Sequence, residues 1–549
     1  MKNNCSLTKF LAENIEKENI ISEVFKLFNV DCITRCQFNP SVLDNLIKKF
    51  NENDECDISI LEEIITFIKG EQKKAENQEN ELFINIIDYI DRTYMQDISI
   101  EQIAADLHIS YYYMCHIFKD KFNISINSYR TKKRLENAMR MLVESKIKIS
   151  DIALSCGYNN ISYFTETFTK HVGVTPTVFK NQNEGKFIHP FYGFDDILMS
   201  LKMENVKFLE EETKKIKQDI QTVSVCVPDD RFKFLHETAI IEYHGVLYAS
   251  WYHCKEKELQ GYTPICGKRS FDCGNTWTDL EIICDDKSEK IMYCPPVYGI
   301  CDDKLYMLVN QMVAPDHIHS LDLYILNAET DKFELLWSRP IPFKLNTNVV
   351  LLQNGKLMLP GRVGELDGFP NTPAVLISDS GKIDTEWRLV KIAENGTLPG
   401  GVELVHPEIS VICAENELYM FCRNDKRKVP LVYISNDYGE TWSAPYSHDI
   451  PYVDSKVYCG NLSDGRCYVV GNTDRTNRSK LSAFFTEDKS INFTKEIVLS
   501  DIDTKIWGAM HYPAACEYDG HLYIIATKAY YNNENQRGAE LFKINLKGI

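Results

Sequence analysis

Nine lysines and arginines crowd positions 119–148 (Lys119, Lys121, Arg130, Lys132, Lys133, Arg134, Arg140, Lys146, Lys148) against three acids. Helical repeats flank this run. Their outward positions carry groups that hydrogen-bond planar edges: Tyr111, Tyr112, Cys115 and His116 before it, Asn160, Ser162 and Glu166 after it. A basic face supplies phosphate affinity, and donors and acceptors on an exposed helix read base edges. The chemistry indicated is recognition of double-stranded DNA, with Lys119, Arg130, Lys132, Lys133, Arg134 and Lys170 as phosphate contacts. Glu166 can accept from cytosine N4. A charge run alone is an ordinary solvated surface; its place between two repeats gives it the phosphate role. The formal charge of −18 argues against nucleic acid until it is divided by region. Residues 81–180 hold 12 bases and 11 acids, a net +1, so the rest of the chain carries −19.

The elements that would position these groups are legible in the spacing. Ile103-Ala104-x-x-Leu107 returns as Ile152-Ala153-x-x-Cys156, Tyr113 as Tyr163 and Phe118 as Phe168, 49 or 50 positions apart. That is a duplicated supersecondary unit. In the first copy Ser99 caps a helix, His108-Ile109-Ser110 turns the chain, and a second helix runs from about Tyr111 to Phe122. In the second copy Ser150 caps Asp151 to Cys156, Gly157 turns, and a helix follows from Asn160 to His171. Small Ala104 and Ala153 let each pair approach closely. Between the copies, Ile126 to Glu144 reads as one amphipathic helix with Tyr129, Leu135, Ala138, Met139 and Leu142 inward. If this connector spaces the readers by ~34 Å, both enter successive major grooves on one DNA face.

This stretch resembles the DNA-binding domain of the AraC/XylS family of bacterial transcription regulators. The resemblance rests on Ile103-Ala-x-x-Leu, Tyr129 through Arg134-Leu-x-x-Ala138-x-x-x-Leu142, Ile152-Ala-x-x-x-Gly157-Tyr, and Ser162-Tyr-Phe-x-x-x-Phe168-x-x-x-x-Gly173-Val-Thr-Pro176-x-x-Phe179. It implies sequence-specific DNA binding as a monomer or homodimer, contact with RNA polymerase if the protein is an activator, and a separate effector domain. In that family the position of Arg134 often braces the connector, so both a brace and a phosphate contact stay open there.

Residues 1–80 read as a helical module for interaction or dimerisation. Phe25, Leu27, Phe28, Val42, Leu43, Leu46, Ile47 and Phe50, then Leu61, Ile64, Ile65 and Ile68, recur at helical spacing. Polar Glu71 to Glu81 reads as a linker, and 184–222 as another. After about residue 223 the texture changes to short β-branched and aromatic runs such as Val246-Leu-Tyr-Ala-Ser-Trp-Tyr and His521-Leu-Tyr-Ile-Ile-Ala. A sandwich seldom grows to about 325 residues, whereas a propeller does so by adding blades. The expected fold is therefore multidomain α plus all-β: a helical N-terminal region, a double helix-turn-helix over 81–183, and a six-bladed β-propeller over 223–549.

Two β segments nearly coincide, Ser270-Phe-Asp-Cys-Gly-Asn-Thr-Trp277 and Ser435-Asn-Asp-Tyr-Gly-Glu-Thr-Trp442, with looser echoes at Ser378-Asp-Ser-Gly381 and Thr486 to Phe493. Asp272 and Asp437 suit Asx-turns, Gly274 and Gly439 suit positive φ, and the tryptophans suit a blade core. These segments resemble Asp-box (BNR) repeats of six-bladed sialidase-like propellers. The resemblance implies an axial pocket. Glu408, followed 15 residues later by Arg423, is similar to that family's Glu–Arg pair; Arg475 or Arg478 matches a further arginine, and Tyr512 in His-Tyr-Pro-Ala-Ala the nucleophile segment. Tyrosine serves there because a substrate carboxylate would repel an acidic nucleophile.

The chain departs from that pattern in two places. His236-Glu237-Thr238 stands where the family has Arg-Ile-Pro, with Arg231 some five residues too early. The segment 252–268 has no Asp, so Glu256 or Glu258 would have to substitute. The expectation is a pocket of His236, Glu408, Arg423, Arg475, Arg478 and Tyr512 that binds a carbohydrate-like or other small effector without turning it over. An active glycosidase, a protein-docking platform, and a purely structural role for Glu408, Arg423 and Tyr512 remain alternatives.

The 18 cysteines are scattered, no Cys-x-x-Cys occurs, and Cys32 and Cys36 have no matching His cluster. Reduced thiols, no metal and no cofactor are expected. No apolar run approaches the ~18 residues of a membrane span. Met1-Lys-Asn-Asn-Cys-Ser lacks the apolar core of a signal peptide, so a cytoplasmic location is expected.

Overall fold

The computed structural model describes residues 24, 40–52, 58–184, 186, 188, 192–314, 317–364, 371–392, 397–398, 401–425, 428–452, 454–473, 477–502 and 504–549. Two compact units divide the chain, Met1–Phe179 and Lys180–Ile549.

The first unit is helical. Its helices are α1 (Pro40–Glu52), α2 (Ile58–Thr93), α3 (Ile100–Asp106), α4 (Tyr111–Phe122), α5 (Ile126–Glu144), α6 (Ile149–Ser155), α7 (Ile161–Val172) and α8 (Pro176–Gln182), the last running across the unit boundary. Leu43 and Phe50 of α1 pack on Leu61, Ile64, Ile65 and Ile68 of α2. Farther along α2, Ile86 and Ile90 pack on Ile103, Met114 and Phe118. The linker expected over 71–81 is corrected: α2 runs through it without a break. That stretch is Glu, Gln, Lys, Ala and Asn with no Gly or Pro, mostly strong helix formers, so polarity there does not mark a turn.

Serine and asparagine caps start most of the reader helices. Ser99, Ser110 and Ser125 each accept from a backbone N–H at 3.1 Å, and Asn160 from Tyr163 N at 3.0 Å. Ser150 is not a cap. Lys148 holds the extended cap conformation with no side-chain bond, so α6 starts before Ser150, whose hydroxyl bonds Asp151 at 3.2 Å. Gly157 turns the chain with φ +79, and a Cβ there would lie 2.3 Å from the Met95 carbonyl oxygen, so only glycine fits.

In the second unit six sheets follow one another as blades. The first strands of five blades, each at one end of its sheet, are Phe234–Tyr243, Met292–Cys301, Ile409–Ala414, Tyr458–Asn461 and Met510–Tyr518. The two closest Asp-box matches sit between the third and fourth strands of their blades. In one, Ser270 Oγ accepts from Gly274 N at 2.8 Å and Asp272 accepts from Thr276 N at 2.8 Å; in the other, Ser435 and Asp437 repeat this at 2.9 and 2.9 Å. Apolar clusters fill the seams between blades, and an ion network of Lys356, Asp379, Arg388 and Glu440 crosses one seam.

The stretch read as a linker, 184–222, carries structure. Helix α9 (Phe194–Lys202) is followed by Asn205–Val206, parallel on Tyr446–His448, then Leu209–Lys215, parallel on Phe493–Asp501. Gln221–Cys226 then runs antiparallel on the chain's last strand, Asn533–Asn545. One arm thus borders two blades and completes a third. Phe208 anchors it, fully buried against Phe421 and Tyr419, while the Phe208 and Leu209 N–H groups donate to Asp449. The periodic pattern hid these strands because charged Glu210 to Lys215 forms an outer edge, where no alternation is required.

Ring closure by Gln221–Cys226 has a measurable consequence. A chain starting at residue 218 should unfold cooperatively on heating. One starting at residue 228 should melt much lower or without a sharp transition, because the last blade loses its fourth strand. Equal melting temperatures would show that this strand does not hold the ring.

Candidate functional site

The first candidate surface is on the reader helices. Residues 111–118 of α4 and 161–168 of α7 have the same order of exposure: three exposed, one buried, one intermediate, one exposed, two buried. Met114, Ile117 and Phe118 face inward on α4, and Phe164, Thr167 and Phe168 on α7. Outward stand Tyr111, Tyr112 and His116 on α4, and Ser162 and Glu166 on α7; Tyr112 is 84% exposed. Tyr163 at 61% and Ile161 at 47% are also outward, and went unnoticed in the sequence although Tyr163 is the repeat mate of Tyr113. His116 pairs with Asp120 at 3.0 Å, and Asn160 lends its side-chain oxygen to the cap.

The arginines of α5 are partly committed. Arg134 donates to the Tyr94 carbonyl at 2.6 Å and the Gln96 carbonyl at 2.9 Å and lies over the Tyr158 ring. Arg130 donates to the Ile98 carbonyl. These bonds fasten the connector to the loop before α3. Lys133 lies 3.7 Å from Asp91, while Lys119 and Lys170 are exposed.

The second candidate is an axial cavity of about 250 Å³ in the propeller, lined by His236, Glu237, Glu258, Leu259, Lys344, Arg362, His406, Glu408, Arg423, Arg478, Trp507, His511, Tyr512 and Arg537. Of the expected pocket residues it gathers His236, Glu408, Arg423, Arg478 and Tyr512; Arg475 lies outside the described residues. Irregular backbone aims several of them. The pairing register slips between His236 and Ala239 and between His511 and Ala514, and Glu237 and Tyr512 adopt φ +50 and +54. Such bulges turn side chains out of the alternation of a strand and cluster at functional sites. His406 and Arg478 are likewise left-handed, at φ +49 and +57.

Arg423 is the hub. One terminal nitrogen donates to Glu408 at 2.6 Å and to the Tyr512 hydroxyl at 2.5 Å, and its other nitrogens donate to Asp425 at 2.6 and 2.8 Å. Burial works against ionising Glu408, but the charges of Arg423, Lys456 and Arg362 outweigh it and hold its pKa at about 2. Burial raises the pKa of Tyr512 well above the phenol range, against the pull of Arg423. Among the described residues, the hydrogen-bond partner of the Tyr512 hydroxyl is this guanidinium, a donor and not a base.

Other members were not foreseen. Arg537, on the last strand, donates to the Glu534 carbonyl at 2.7 Å and to His511 Nε2. Arg478 donates to His511 Nδ1 at 3.1 Å and to the Asp454 carbonyl at 2.5 Å, and stacks on half-exposed Trp507 at 4.3 Å. His236 lies edge-on to Tyr252, 4.2 Å between ring centroids from Tyr512. Burial, with the arginine charges, drives the pKa of both His236 and His511 well below the usual imidazole range, so both are neutral at pH 7. Lys344 and Arg362 are direct cross-strand partners and both buried. Glu258, one of the two carboxylates weighed from sequence, lines the cavity and accepts from Tyr252 at 2.9 Å; Glu256 pairs with Lys233 at 3.0 Å. Among the described residues no group of three or more His, Cys, Asp or Glu could hold a metal ion, and no helix is long and apolar enough to cross a membrane.

Comparison with known proteins matches residues 245–524 to a BNR repeat-like domain and residues 103–182 to a helix-turn-helix domain. The uncharacterised HTH-type transcriptional regulator YijO of Escherichia coli K12 is 31% identical over 113 residues, 21% of this chain and 40% of that protein. The regulatory protein PocR of Salmonella typhimurium is 32% identical over 103 residues, 19% of this chain and 33% of that protein. The chain therefore spans two fifths or less of these regulators. Among solved structures, a Trypanosoma rangeli sialidase mutant displaying trans-sialidase activity aligns with TM-score 0.47 and 16% identity over 61% of this chain and 60% of that one. A protein of unknown function from Dyadobacter fermentans aligns with TM-score 0.48 and 13% identity over 59% of this chain and 99% of that one. With its repeats spanning more than half its length, the chain belongs to the BNR repeat-like family, and it carries an AraC-type helix-turn-helix domain in its first unit.

Proposed function

We propose that the protein is a sequence-specific, DNA-binding transcription regulator of the AraC type whose propeller senses a carbohydrate-like small ligand without hydrolysing it. The observation that carries the DNA reading is the matched exposure of α4 and α7 at the two ends of a basic connector. Helix α5 has 19 residues and so is about 28 Å long at 1.5 Å per residue, close to one turn of B-DNA. Tyr111, Tyr112, His116, Ser162, Tyr163 and Glu166 read base edges, with the free amide of Asn160 beside them. Lys119, Lys132, Lys133 and Lys170 take phosphates. Arg134 and Arg130 act by fixing the pose of the connector. As an activator the protein would also meet RNA polymerase, and the named regulators it resembles support that class of activity.

The sensing reading rests on the state of Tyr512. A nucleophilic tyrosine needs a base to take its proton. Here the nearby carboxylate, Glu408, is engaged by the same Arg423 that donates to the phenol oxygen, and burial keeps the phenol protonated. A site arranged in this way holds a ligand and does not activate an attack. Ligand then alters transcription to the extent that it binds the DNA-competent and incompetent states unequally.

In gel-shift assays with its own promoter region, the full chain should bind with an affinity that falls steeply with salt. Tyr112→Ala and Tyr163→Ala should narrow the gap between specific and non-specific DNA by about 1–3 kcal/mol, while Lys132→Ala should weaken all sequences alike and flatten the salt slope. Uniform loss from all three changes would contradict this division of roles. On a fluorogenic sialoside, the chain should show no turnover above background. Turnover abolished by Tyr512→Phe would instead establish an active glycosidase.

A further inference from the structure

Burying a charge is tolerated when an opposite charge meets it, and removing that partner is costly. Arg423 satisfies this condition with Glu408 and Asp425. Arg478 and Arg537 do not. Each is 4% exposed, and among the described residues neither makes an ion pair. Their bonds go to backbone carbonyls and to the two ring nitrogens of His511, and Nε of Arg478 has no partner. A neutral imidazole carries one N–H, so it can accept from only one of the two guanidiniums. The other guanidinium faces a donor.

Arg478 and Arg537 thus bring two positive charges to the lining that meet no ion-pair partner among the described residues. The other ion pairs at the site are matched: Arg423 with Glu408 and Asp425, Lys456 with Glu237, and Lys428 with Asp454. A monocarboxylate would neutralise only one of the two unmatched charges, whereas a phosphate monoester brings close to two negative charges at neutral pH and three strong acceptor oxygens. Guanidinium forks suit such a group. At about 250 Å³ the cavity has room for a sugar-sized body behind it, with Trp507 at the rim offering an aromatic face.

We propose that the axial cavity is built for a phosphorylated small molecule of sugar size, its phosphoryl group seated between Arg478 and Arg537. This rests on the sensing reading above and names the ligand class. It assigns Arg537, which lies outside every motif of the sequence, as a binding residue.

The test uses the full chain and four probes: inorganic phosphate, glucose 6-phosphate, glucose and N-acetylneuraminate. Phosphate should raise the melting temperature above that in chloride at equal ionic strength. By calorimetry glucose 6-phosphate should bind, glucose should not, and the monocarboxylate N-acetylneuraminate should bind more weakly. Arg537→Met should weaken glucose 6-phosphate by about 30-fold or more. Without ligand, Arg537→Met should melt no lower than the wild type, since it removes an unmatched buried charge. A structural arginine would give the reverse: a lower melting temperature and unchanged phosphate binding. If Arg537→Met fails to fold, the wild-type comparison of glucose 6-phosphate with glucose by calorimetry still decides. Equal binding of glucose and glucose 6-phosphate, tighter binding of N-acetylneuraminate, or no response to either phosphate probe would each overturn the proposal. The sensing reading fails separately: glucose 6-phosphate that binds but leaves the gel-shift affinity unchanged removes the sensor and keeps the phosphoryl seat.

Discussion

A propeller is held by the seam where its ends meet. Here that seam is the antiparallel pairing of Gln221–Cys226 with Asn533–Asn545, which joins the strand that enters the β unit to the strand that ends the chain. Apolar packing between neighbouring blades is strong but local, and a ring with an open seam could splay. The same arm borders two further blades before it reaches the seam, covering sheet edges that would otherwise present unpaired backbone groups. With the ring shut, inner strands from every blade converge on one axis. Backbone bulges near the ends of two of them then turn Glu237, His511 and Tyr512 into a shared cavity.

That cavity is expensive to maintain. Guanidiniums lose their water there, and two histidines are held neutral. A core selected for stability alone would replace such groups with hydrocarbon. Their presence together, on irregular backbone, supports the binding role proposed for the cavity. Arg423 shows the contrast, because its donors are matched by carboxylates and a phenol and it organises the wall.

The helical unit solves a different problem. Two short helix pairs present the same pattern of exposed and buried positions, and the connector between them is tied down by arginines that donate to carbonyls. Rigidity and charge are thus divided among basic residues: Arg130 and Arg134 hold the frame, while Lys119 and Lys170 are exposed at the surface. The long helix α2 shares its core with both the N-terminal helical module and the first reader, so these regions are packed as one unit.

Much of this was open to a reader of the sequence, because it depends on short-range regularities. The duplicated Ile-Ala motifs, the cap at Ser99, the turn at Gly157 and the two Asp boxes each lie within a dozen residues and obey local rules. So did five of the cavity residues, through motif spacing. Polarity misled over 71–81, where helix propensity prevails without an apolar pattern in the sequence, and over 184–222, where outer-edge strands need no alternation. Arg537, Lys344, Arg362 and His511 carried no signal of their own. His236 and Arg537 lie some 300 positions apart and meet only because the ring closes. Local periodicity decides which face of a strand is buried. Which blades surround an axis, where a bulge turns a side chain inward, and which buried charges find no partner there are set by closure, and only the tertiary structure holds that information.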